Sequence, residues 1–294
     1  MKPHLRSSLT LLIAALLAGP MHSLGAQGDI QWTPGPTVGR LGSIAQITIP
    51  EGYSFTGKAG AQRFMELTEN PSSGDELGVL IPNTDDDDEF WFVVFEFKQM
   101  GYVKDDEKAA LDADDILKSI RKGNDAGNKI RRKRGWPTLS VVGWEKEPFY
   151  DANTNNLTWA IRGAVDDVAD SGESVNYSTR VLGRRGTMNV DLVIDPALVE
   201  HVVPEFEWLL TQFEYLSGNR YAEWVEGDAV AKYGLTALVA GGAGALAVKS
   251  GLLQKFGKLI LVAIAAIVSA VARSMKSLGR LFGRGDESQQ PSRG

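Results

Sequence analysis

Apolar and polar residues alternate with the two-residue period of β-strands at several places in the middle of the chain. Over Thr187–Ile194, four apolar residues alternate with polar Asn189 and Asp191, which predicts a strand with one face in the core. Phe90–Phe97 (FWFVVFEF) is apolar on both faces and predicts a central strand. The turn sequence Gly183–Gly186 (GRRG) predicts a tight hairpin that leads into Thr187–Ile194. Further strands are predicted at Ala45–Ile49, Leu77–Ile81, Thr138–Trp144, Leu157–Ile161 and Val175–Leu182, and the Gly- and Pro-rich residues 27–42 are predicted to be irregular.

A capping pattern marks the first long helix. Asp112, followed three residues later by Asp115, is an acidic variant of a capping box and predicts a helix N-terminus. Gly123 is predicted to end this helix, because glycine is the usual residue just after a helix C-terminus. A second, short helical segment is predicted over Asn128–Arg134.

Another helix is predicted to begin where Pro196 follows Asp195, since Asp is a good N-cap and Pro fits the first helical turn. The apolar spacing predicts that this helix continues to Gly218, and a weaker pattern predicts a helix over Ala59–Thr68. The predicted elements together indicate one α+β domain over residues 27–228, with a mostly antiparallel sheet and helices packed on one side of it.

The first 26 residues carry the pattern of an export signal. Lys2 and Arg6 precede a ten-residue apolar run, Leu9–Ala18. Because ten helical residues are too short for a hydrocarbon core of about 30 Å, we expect cleavage after Gly25 or Ala26. An uncleaved anchor is the alternative interpretation.

Two apolar stretches, Tyr233–Val248 and Leu259–Ala272, come near the other end of the sequence, and a basic tail follows them. The second stretch predicts a membrane helix because no polar face interrupts it, and residues 229–274 are expected to anchor the chain. The tail, residues 275–294, is expected to be disordered and cytoplasmic, since basic flanks favour that side. A buried apolar hairpin is the alternative, and the number of membrane crossings stays open. The anchoring residues that this pattern names are Leu259, Ile260, Leu261, Val262, Ile264, Ile267 and Val268.

Small residues recur at every fourth position in the first apolar stretch, at Ala237, Gly241 and Ala245. This is the pattern that lets membrane helices approach one another closely. It is common in segments rich in alanine and glycine, so a homo-oligomer formed through this face is a hypothesis.

Charge and composition exclude several classes of function. The chain of 294 residues has a net charge of −6, but residues 27–228 hold 20 of its 31 basic residues and 35 of its 37 acidic ones. A domain this acidic is not expected to bind nucleic acid. The absence of cysteine excludes disulfides, thiolate metal sites and cysteine nucleophiles. His201 is the only histidine after the signal, and without a Gly-x-Ser-x-Gly motif a serine-hydrolase triad is not predicted.

Acidic residues offer candidate chemistry in two loops. Asp151-x-Asn153-x-Asn155 resembles the opening of a calcium-binding EF-hand loop, but Arg162 stands at the twelfth position, where a Glu ligand is needed. A hairpin turn is therefore the prediction there. The run Asp85–Glu89 is predicted to be a solvated loop rather than a metal site, and no cofactor is predicted. Paired carboxylates of the kind that hydrolyse glycosides stay open, because choosing them needs geometry.

A basic run stands out within the acidic domain. Five of the six residues from 129 to 134 are basic, and a tryptophan follows closely. The run could contact lipid headgroups, an anionic envelope polymer or the acidic face of a partner protein. Alternatively, it is a solvated helix end whose cations offset the helix dipole and pair with the acids of Asp105–Asp115. The residues of this candidate patch are Lys129, Arg131, Arg132, Lys133, Arg134 and Trp136.

Short motifs from about residue 38 to residue 248 carry a resemblance to a known family. They are Leu41-Gly42, Ile49-Pro50-Glu51-Gly52-Tyr53, Phe90-Trp91-Phe92-Val93-Val94, Gly101-Tyr102-Val103-Lys104-Asp105-Asp106, Gly143-Trp144, Pro148-x-Tyr150-Asp151, Leu157-x-Trp159-Ala160, Asn176-Tyr177, Leu182-Gly183-Arg184-x-Gly186, Ala231-x-Tyr233-Gly234 and Gly241-Gly242. With them the chain resembles a bacterial family of uncharacterised membrane-anchored proteins that is defined by a domain of unknown function. The resemblance implies membrane anchoring and an exported domain, and it brings no catalytic residues with it.

A weaker likeness, to the PsbP/Mog1-type sandwich, is carried by Ile49–Tyr53 and by Pro196–Phe213. It is an analogy of fold and implies no function. The expected function is that of a non-catalytic binding or scaffold module at the bacterial inner membrane, with its domain in the periplasm. Its expected partners are the lipid bilayer and an envelope protein or polymer. An envelope hydrolase that uses paired carboxylates is the alternative.

Overall fold

Two antiparallel sheets form the framework of the protein, whose structure is a computed structural model. It describes residues 30–240 apart from residues 69, 71, 85, 87–88, 110 and 167–171, and all of these described residues belong to the unit Met1–Leu246. The strands are β1 Thr33–Pro34, β2 Thr37–Leu41, β3 Ala45–Ile49, β4 Tyr53–Gly57, β5 Glu76–Pro82, β6 Phe92–Lys98, β7 Leu139–Asp151, β8 Asn156–Val165, β9 Glu173–Leu182, β10 Thr187–Ile194 and β11 Phe213–Tyr215. The helices are α1 Lys58–Leu67, α2 Ala113–Lys133, α3 Val199–Leu210 and α4 Leu235–Val239, and single 3-10 turns cover Pro196–Leu198 and Tyr221–Glu223.

The larger sheet has the strand order β1-β4-β5-β6-β10-β9-β8-β7, and every neighbouring pair in it is antiparallel. The smaller sheet has the order β11-β3-β2. β10 begins and ends at the predicted residues, and the predicted hairpin before it is closed by a 2.8 Å bond from the Gly183 amide to the Gly186 carbonyl. The prediction of an α+β domain with a mostly antiparallel sheet is confirmed.

One face of the larger sheet is covered by α3 and the smaller sheet. The even-numbered apolar residues of β10 lie on this face with Val93 and Phe95 of β6. Phe206 of α3 packs into the same cluster and is almost fully buried. Burying one side chain of this size contributes about 1.5–3 kcal/mol, so this cluster holds the two sheets together.

The opposite face of the larger sheet is covered by α1 and α2. Under α1, Phe64 and Met65 pack on Val94 of β6. Under α2, Ile116 and Ile120 pack on one face of β8. The residues of β8 on this face are Leu157, Trp159 and Ile161. Helices therefore lie on both sides of the sheet, and the prediction that they lie on one side is wrong. The reason is that β6 and β10 are buried on both faces, so each face of the sheet has its own cover.

α2 is one helix of 21 residues rather than two segments, and the predicted stop at Gly123 is wrong. Asp112 caps it as predicted, because its carboxylate accepts the Asp115 amide at 2.9 Å. Beyond Gly123, the amide groups of Asn124 and Asn128 donate to the Leu139 carbonyl at 2.6 and 2.7 Å. These contacts with β7 offset the cost of glycine inside a helix, which is about 1 kcal/mol.

Two other local predictions fail because of pairing in the smaller sheet. Asp195 caps a helix start as predicted, but α3 ends at Leu210, and Phe213–Tyr215 form β11, paired with β3. The residues predicted to be irregular contain β2, which pairs with β3 in the register Thr37↔Ile49. β11 pairs with a strand that is distant in sequence, whereas β2 and β3 form a local hairpin.

The last described element, α4, packs on α2. Leu235, Ala237 and Val239 are buried in one cluster with Ile116 and Ile120. No helix in the described part of the chain is both long and apolar enough to cross a bilayer. The predicted signal (residues 1–26), the anchor residues from Leu259 to Val268 and the tail (residues 275–294) lie outside the described residues, as do Gly241 and Ala245 of the small-residue pattern.

Candidate functional site

The structure divides the predicted basic patch at the end of α2 into one buried and several exposed residues. Arg131 is only 4% exposed, and its Nε donates a hydrogen bond to the Pro137 carbonyl. It lies on the same side of α2 as Ile120, Asn124 and Asn128, which all face the sheet. Arg131 is therefore part of the interior, which the one-dimensional run of charges does not reveal. The exposed members are Lys129, Arg132, Lys133 and Arg134, and together with Trp136 they are called the basic surface below.

Trp136 connects the buried and exposed arginines. The guanidinium carbon of Arg134 lies 4.7 Å from the centre of its ring, and that of Arg131 lies 5.7 Å away. The chain reaches this position because Gly135 adopts a positive φ of 73°, which ends the helix and turns the backbone back. The amide of Trp136 then donates to the Arg131 carbonyl at 3.0 Å. Such cation–π contacts contribute about 0.5–1 kcal/mol at exposed sites, so Arg134 is held in place without an acidic partner.

Several basic residues elsewhere in the domain are paired with acids. Lys98 pairs with Asp75 at 2.9 Å, and Arg162 pairs with Glu145 at 2.6 Å. Arg180 and Arg184 are likewise paired, with Asp191 and Asp228 respectively. Within the described residues, the four cations of the basic surface make no ion pair. The expected alternative, pairing with Asp105–Asp115, is not what these cations do, since Asp105 pairs with Lys108 and Asp115 with Lys118.

A second group of polar residues, not predicted, is buried on the sheet face that α1 and α2 share. It runs across the central strands, between the cluster under α1 and the cluster under α2, and is called the polar seam below. The seam residues are Glu76, Glu96, Ser174, Asn176, Ser178, Thr187, Asn189 and Asp191, all buried. Buried polar groups need hydrogen-bond partners, so each partner indicates what the seam does.

The two glutamates of the seam hold a loop against the sheet. Glu76 accepts the backbone amides of Ser73 and Gly74 at 2.6 and 2.9 Å, one on each carboxylate oxygen. Glu96 accepts the Ser73 hydroxyl at 2.8 Å on one oxygen and lies 3.3 Å from the Lys98 ammonium with the other. Both carboxylates are thus occupied by donors from the protein itself.

Glu96 is also the most electrostatically perturbed carboxyl of the seam. Burial raises its pKa above the ordinary value of 4.5; the Lys98 ammonium opposes this shift, and the carboxylates of Asp191 and Glu76 add to it. The raised pKa means that this carboxyl takes up a proton at a higher pH than an exposed glutamate does. In this arrangement the proton would change the strength of the loop's attachment.

The remaining seam residues differ in whether their side chains have hydrogen-bond partners. Asp191 accepts the Ser178 hydroxyl at 2.6 Å and the Arg180 guanidinium at 2.8 Å. Asn176 is only 4% exposed, and neither its amide nitrogen nor its amide oxygen has a hydrogen-bond partner in the described structure. Glu96, Asn189 and Asp191 stand in predicted strands, but the sequence does not show whether the strand face that carries them meets water or other parts of the protein.

The other candidate residues take the ordinary roles that were predicted for them. His201 is exposed on α3. Asp151 begins the β7–β8 hairpin turn, where the Asn153 amide and the Thr154 hydroxyl donate to it and lower its pKa. In this turn Asn155 adopts a positive φ of 55°.

Residues 85, 87 and 88 of the acidic run Asp85–Glu89 lie outside the described structure. Among the residues that are described, no group of three or more His, Cys, Asp or Glu side chains is arranged to hold a metal ion.

Solved structures give only a distant likeness. The solution structure of cyanobacterial PsbP (CyanoP) from Synechocystis sp. PCC 6803 is 16% identical, covers 67% of this chain and 100% of its own, and has a TM-score of 0.36. The Saccharomyces cerevisiae Ran-binding protein Mog1p is 10% identical over 67% of this chain and 98% of its own, with a TM-score of 0.34. A protein of unknown function from Pseudomonas aeruginosa, PA94, described as a putative regulator, is 10% identical. It covers 59% of this chain and 92% of its own, with a TM-score of 0.26. Likeness at this level transfers neither a ligand nor a partner to this chain.

Sequence comparison is more informative. No curated protein matches the chain. A family model described as "Protein of unknown function (DUF2167)" matches residues 34–272, which include all the sheet strands except the first residue of β1 and reach into the second apolar stretch. The expected membership of a family with a domain of unknown function is thereby confirmed, and the chain belongs to the DUF2167 family.

Proposed function

We propose that the protein is a non-catalytic binding module of the bacterial envelope. In this proposal the apolar region 229–274 holds it at the inner membrane, and the α+β domain faces the periplasm. The apolar sequence Leu259–Ala272 and the signal-like first 26 residues support the location. The basic surface at the end of α2 is the binding site, and its partner is acidic.

One observation carries the proposal: the basic surface has four unpaired cations in a domain with a large excess of acids. Residues 27–228 contain 20 basic and 35 acidic residues, so an acidic partner was available for each cation. Because exposed ion pairs contribute little to stability, leaving these four cations unpaired costs the fold little. Four cations left accessible on one surface form a local positive field that an acidic partner can neutralise.

The alternative, a hydrolase with paired carboxylates, is less well supported. Such an enzyme needs two carboxyl groups that face the substrate, one to donate a proton and one to attack or to activate water. Glu96, the carboxyl of the polar seam whose pKa is raised by burial, uses both oxygens for Ser73 and Lys98. Glu76, the next acid in the seam, uses both of its oxygens for the same loop.

Cross-linking in intact envelopes, followed by mass spectrometry, tests the proposal. The test variant reverses Arg132, Lys133 and Arg134 to Glu, and it leaves Arg131 unchanged because that residue is internal. The matched control reverses Lys58, Lys104 and Arg185 to Glu, three exposed cations that likewise make no ion pair among the described residues. Both variants carry the same change of net charge. We expect the cross-linked neighbours to be lost only from the test variant. Identical cross-links in wild type, test variant and control would contradict the proposal.

A further inference from the structure

α2 carries a continuous row of cations on the side that faces away from the sheet. From residue 116 to residue 134 the sequence has eight basic residues and one acid, Asp125. Lys122, Lys129 and Lys133 follow one another at spacings of seven and four residues, which places them on one side of the helix. At about 1.5 Å per residue this row is about 16 Å long. All three lysines are exposed.

Apolar groups lie beside this row of cations. Ile130 is 49% exposed although it belongs to a helix whose other isoleucines are buried. Trp136 lies at the same end, with its ring beside Arg134. Cations with long aliphatic stems, an exposed isoleucine and a tryptophan suit the boundary between lipid headgroups and acyl chains, because each can place an apolar part in the lipid and a polar part in water.

The predicted membrane tether begins next to α2. α4 is packed on the N-terminal half of α2 through Leu235, next to Ile116 and Ile120. The apolar sequence continues directly after Ala240, the last described residue. The helix with the row of cations is therefore also the helix that holds the start of the tether.

Charge selects one orientation of the domain on an anionic surface. The domain as a whole is repelled by such a surface, since its acids outnumber its bases by 35 to 20. Attraction acts within about 8–10 Å at physiological ionic strength, so it operates only when the cations themselves approach the headgroups. The orientation with α2 against the membrane brings these cations close to the headgroups.

We infer that the partner of the basic surface is the anionic surface of the bilayer to which the chain is tethered, with α2 lying along it. This inference rests on the proposed function for the tether itself. A headgroup layer fits these cations because it needs no fixed geometry, whereas a specific protein contact uses ordered, bidentate pairs. Lys122, Lys129 and Lys133 are exposed side chains with no ordered partner in the described structure.

Site-specific labelling of the full chain tests this inference, because the chain has no cysteine of its own. A polarity-sensitive fluorophore is attached to Ile130→Cys, and Phe149→Cys, at an exposed residue of β7, is the control. Each protein is reconstituted into nanodiscs of phosphatidylcholine alone or with phosphatidylglycerol. We expect quenching by neutral acrylamide at position 130 to fall several-fold when phosphatidylglycerol is present, and quenching at position 149 to stay unchanged.

A charge-reversal variant supplies the second arm. Lys129, Arg132, Lys133 and Arg134 are changed to Glu in the Ile130→Cys background, with near-ultraviolet circular dichroism to verify folding. We expect the protection by phosphatidylglycerol to be lost. Equal quenching at position 130 in both lipid mixtures, while the chain stays in the discs, would overturn the inference and leave the tether intact. If the label at position 130 is protected in native membranes but not in nanodiscs, the inference is overturned and the surface binds a protein or polymer instead. Release of the chain from the discs would overturn the tether as well.

Discussion

The phenol of Tyr215 donates a 2.7 Å hydrogen bond to the carbonyl oxygen of Val181. The phenol oxygen of Tyr215 in turn accepts a hydrogen bond from the Met188 amide at 2.8 Å. Val181 and Met188 are direct partners across the β9–β10 hairpin, whereas Tyr215 belongs to the smaller sheet. One buried side chain therefore connects the two sheets at the closed end of the hairpin.

Changing Tyr215 to Phe should lower the free energy of unfolding by about 1–3 kcal/mol, because the Met188 amide would be left buried without an acceptor. Denaturant unfolding of the full chain in mild detergent measures this. Tyr233→Phe is the matched control, since the Tyr233 hydroxyl makes no hydrogen bond in the described part of the chain. An equal effect of both changes would show that the bridge between the sheets contributes nothing specific.

Arg131 and Arg134 should behave differently although both contact Trp136 and lie three residues apart. Arg131→Met should lower the free energy of unfolding by about 1–3 kcal/mol, because the Pro137 carbonyl loses its donor. Arg134→Met, at an exposed position, should change it by less than about 0.5 kcal/mol. The comparison uses thermal unfolding of the two variants under identical conditions. A larger effect at Arg134 would reverse the assignment of interior and surface.

Glu96 should make stability depend on pH with a definite sign. Burial raises its pKa above 4.5, so the folded protein binds this proton more tightly than the unfolded chain does. The stability that protonation of Glu96 contributes is fully present below pH 4.5. It is lost as the pH rises through the pKa that Glu96 has in the folded protein. Glu96→Gln removes the titration, so wild type should lose stability relative to this variant as the pH rises. The assignment would be contradicted if the free energies of unfolding of the two proteins differed by the same amount at every pH. It would also be contradicted if wild type gained stability relative to Glu96→Gln as the pH rises.

Asn176→Val should stabilise the protein, by about 1–3 kcal/mol, because it removes a buried amide without partners and suits a central strand. Asn189→Val is the matched comparison on the neighbouring strand. It should destabilise the protein, since the Asn189 carbonyl oxygen accepts the Thr187 hydroxyl at 3.0 Å. Melting temperatures of both variants decide the matter. A lower melting temperature for Asn176→Val would mean that its amide has a partner, such as water or a ligand.

Local patterns in the sequence were enough for several elements of the fold. The alternation over Thr187–Ile194 defined a strand, and the glycines of Gly183–Gly186 defined its hairpin, because both depend on neighbouring residues alone. The same holds for Asp112 and Asp195, whose carboxylates cap the helix starts that follow them. The candidate binding surface was also visible as a run of basic residues.

What the sequence by itself determined, then, is the α+β class, the acidic character of the domain and the position of a basic run. Tertiary structure alone decided that Arg131 points inward, because the side of α2 that contacts β7 follows from Asn124 and Asn128 binding Leu139. It also decided that α2 continues through Gly123 and that Phe213–Tyr215 pair with β3. The polar seam was hidden for the same reason: whether Glu96 or Asp191 meets water or protein depends on helices that are distant in sequence. Contacts between distant segments supply the free energy that overrides local preference, and a local pattern contains no record of them.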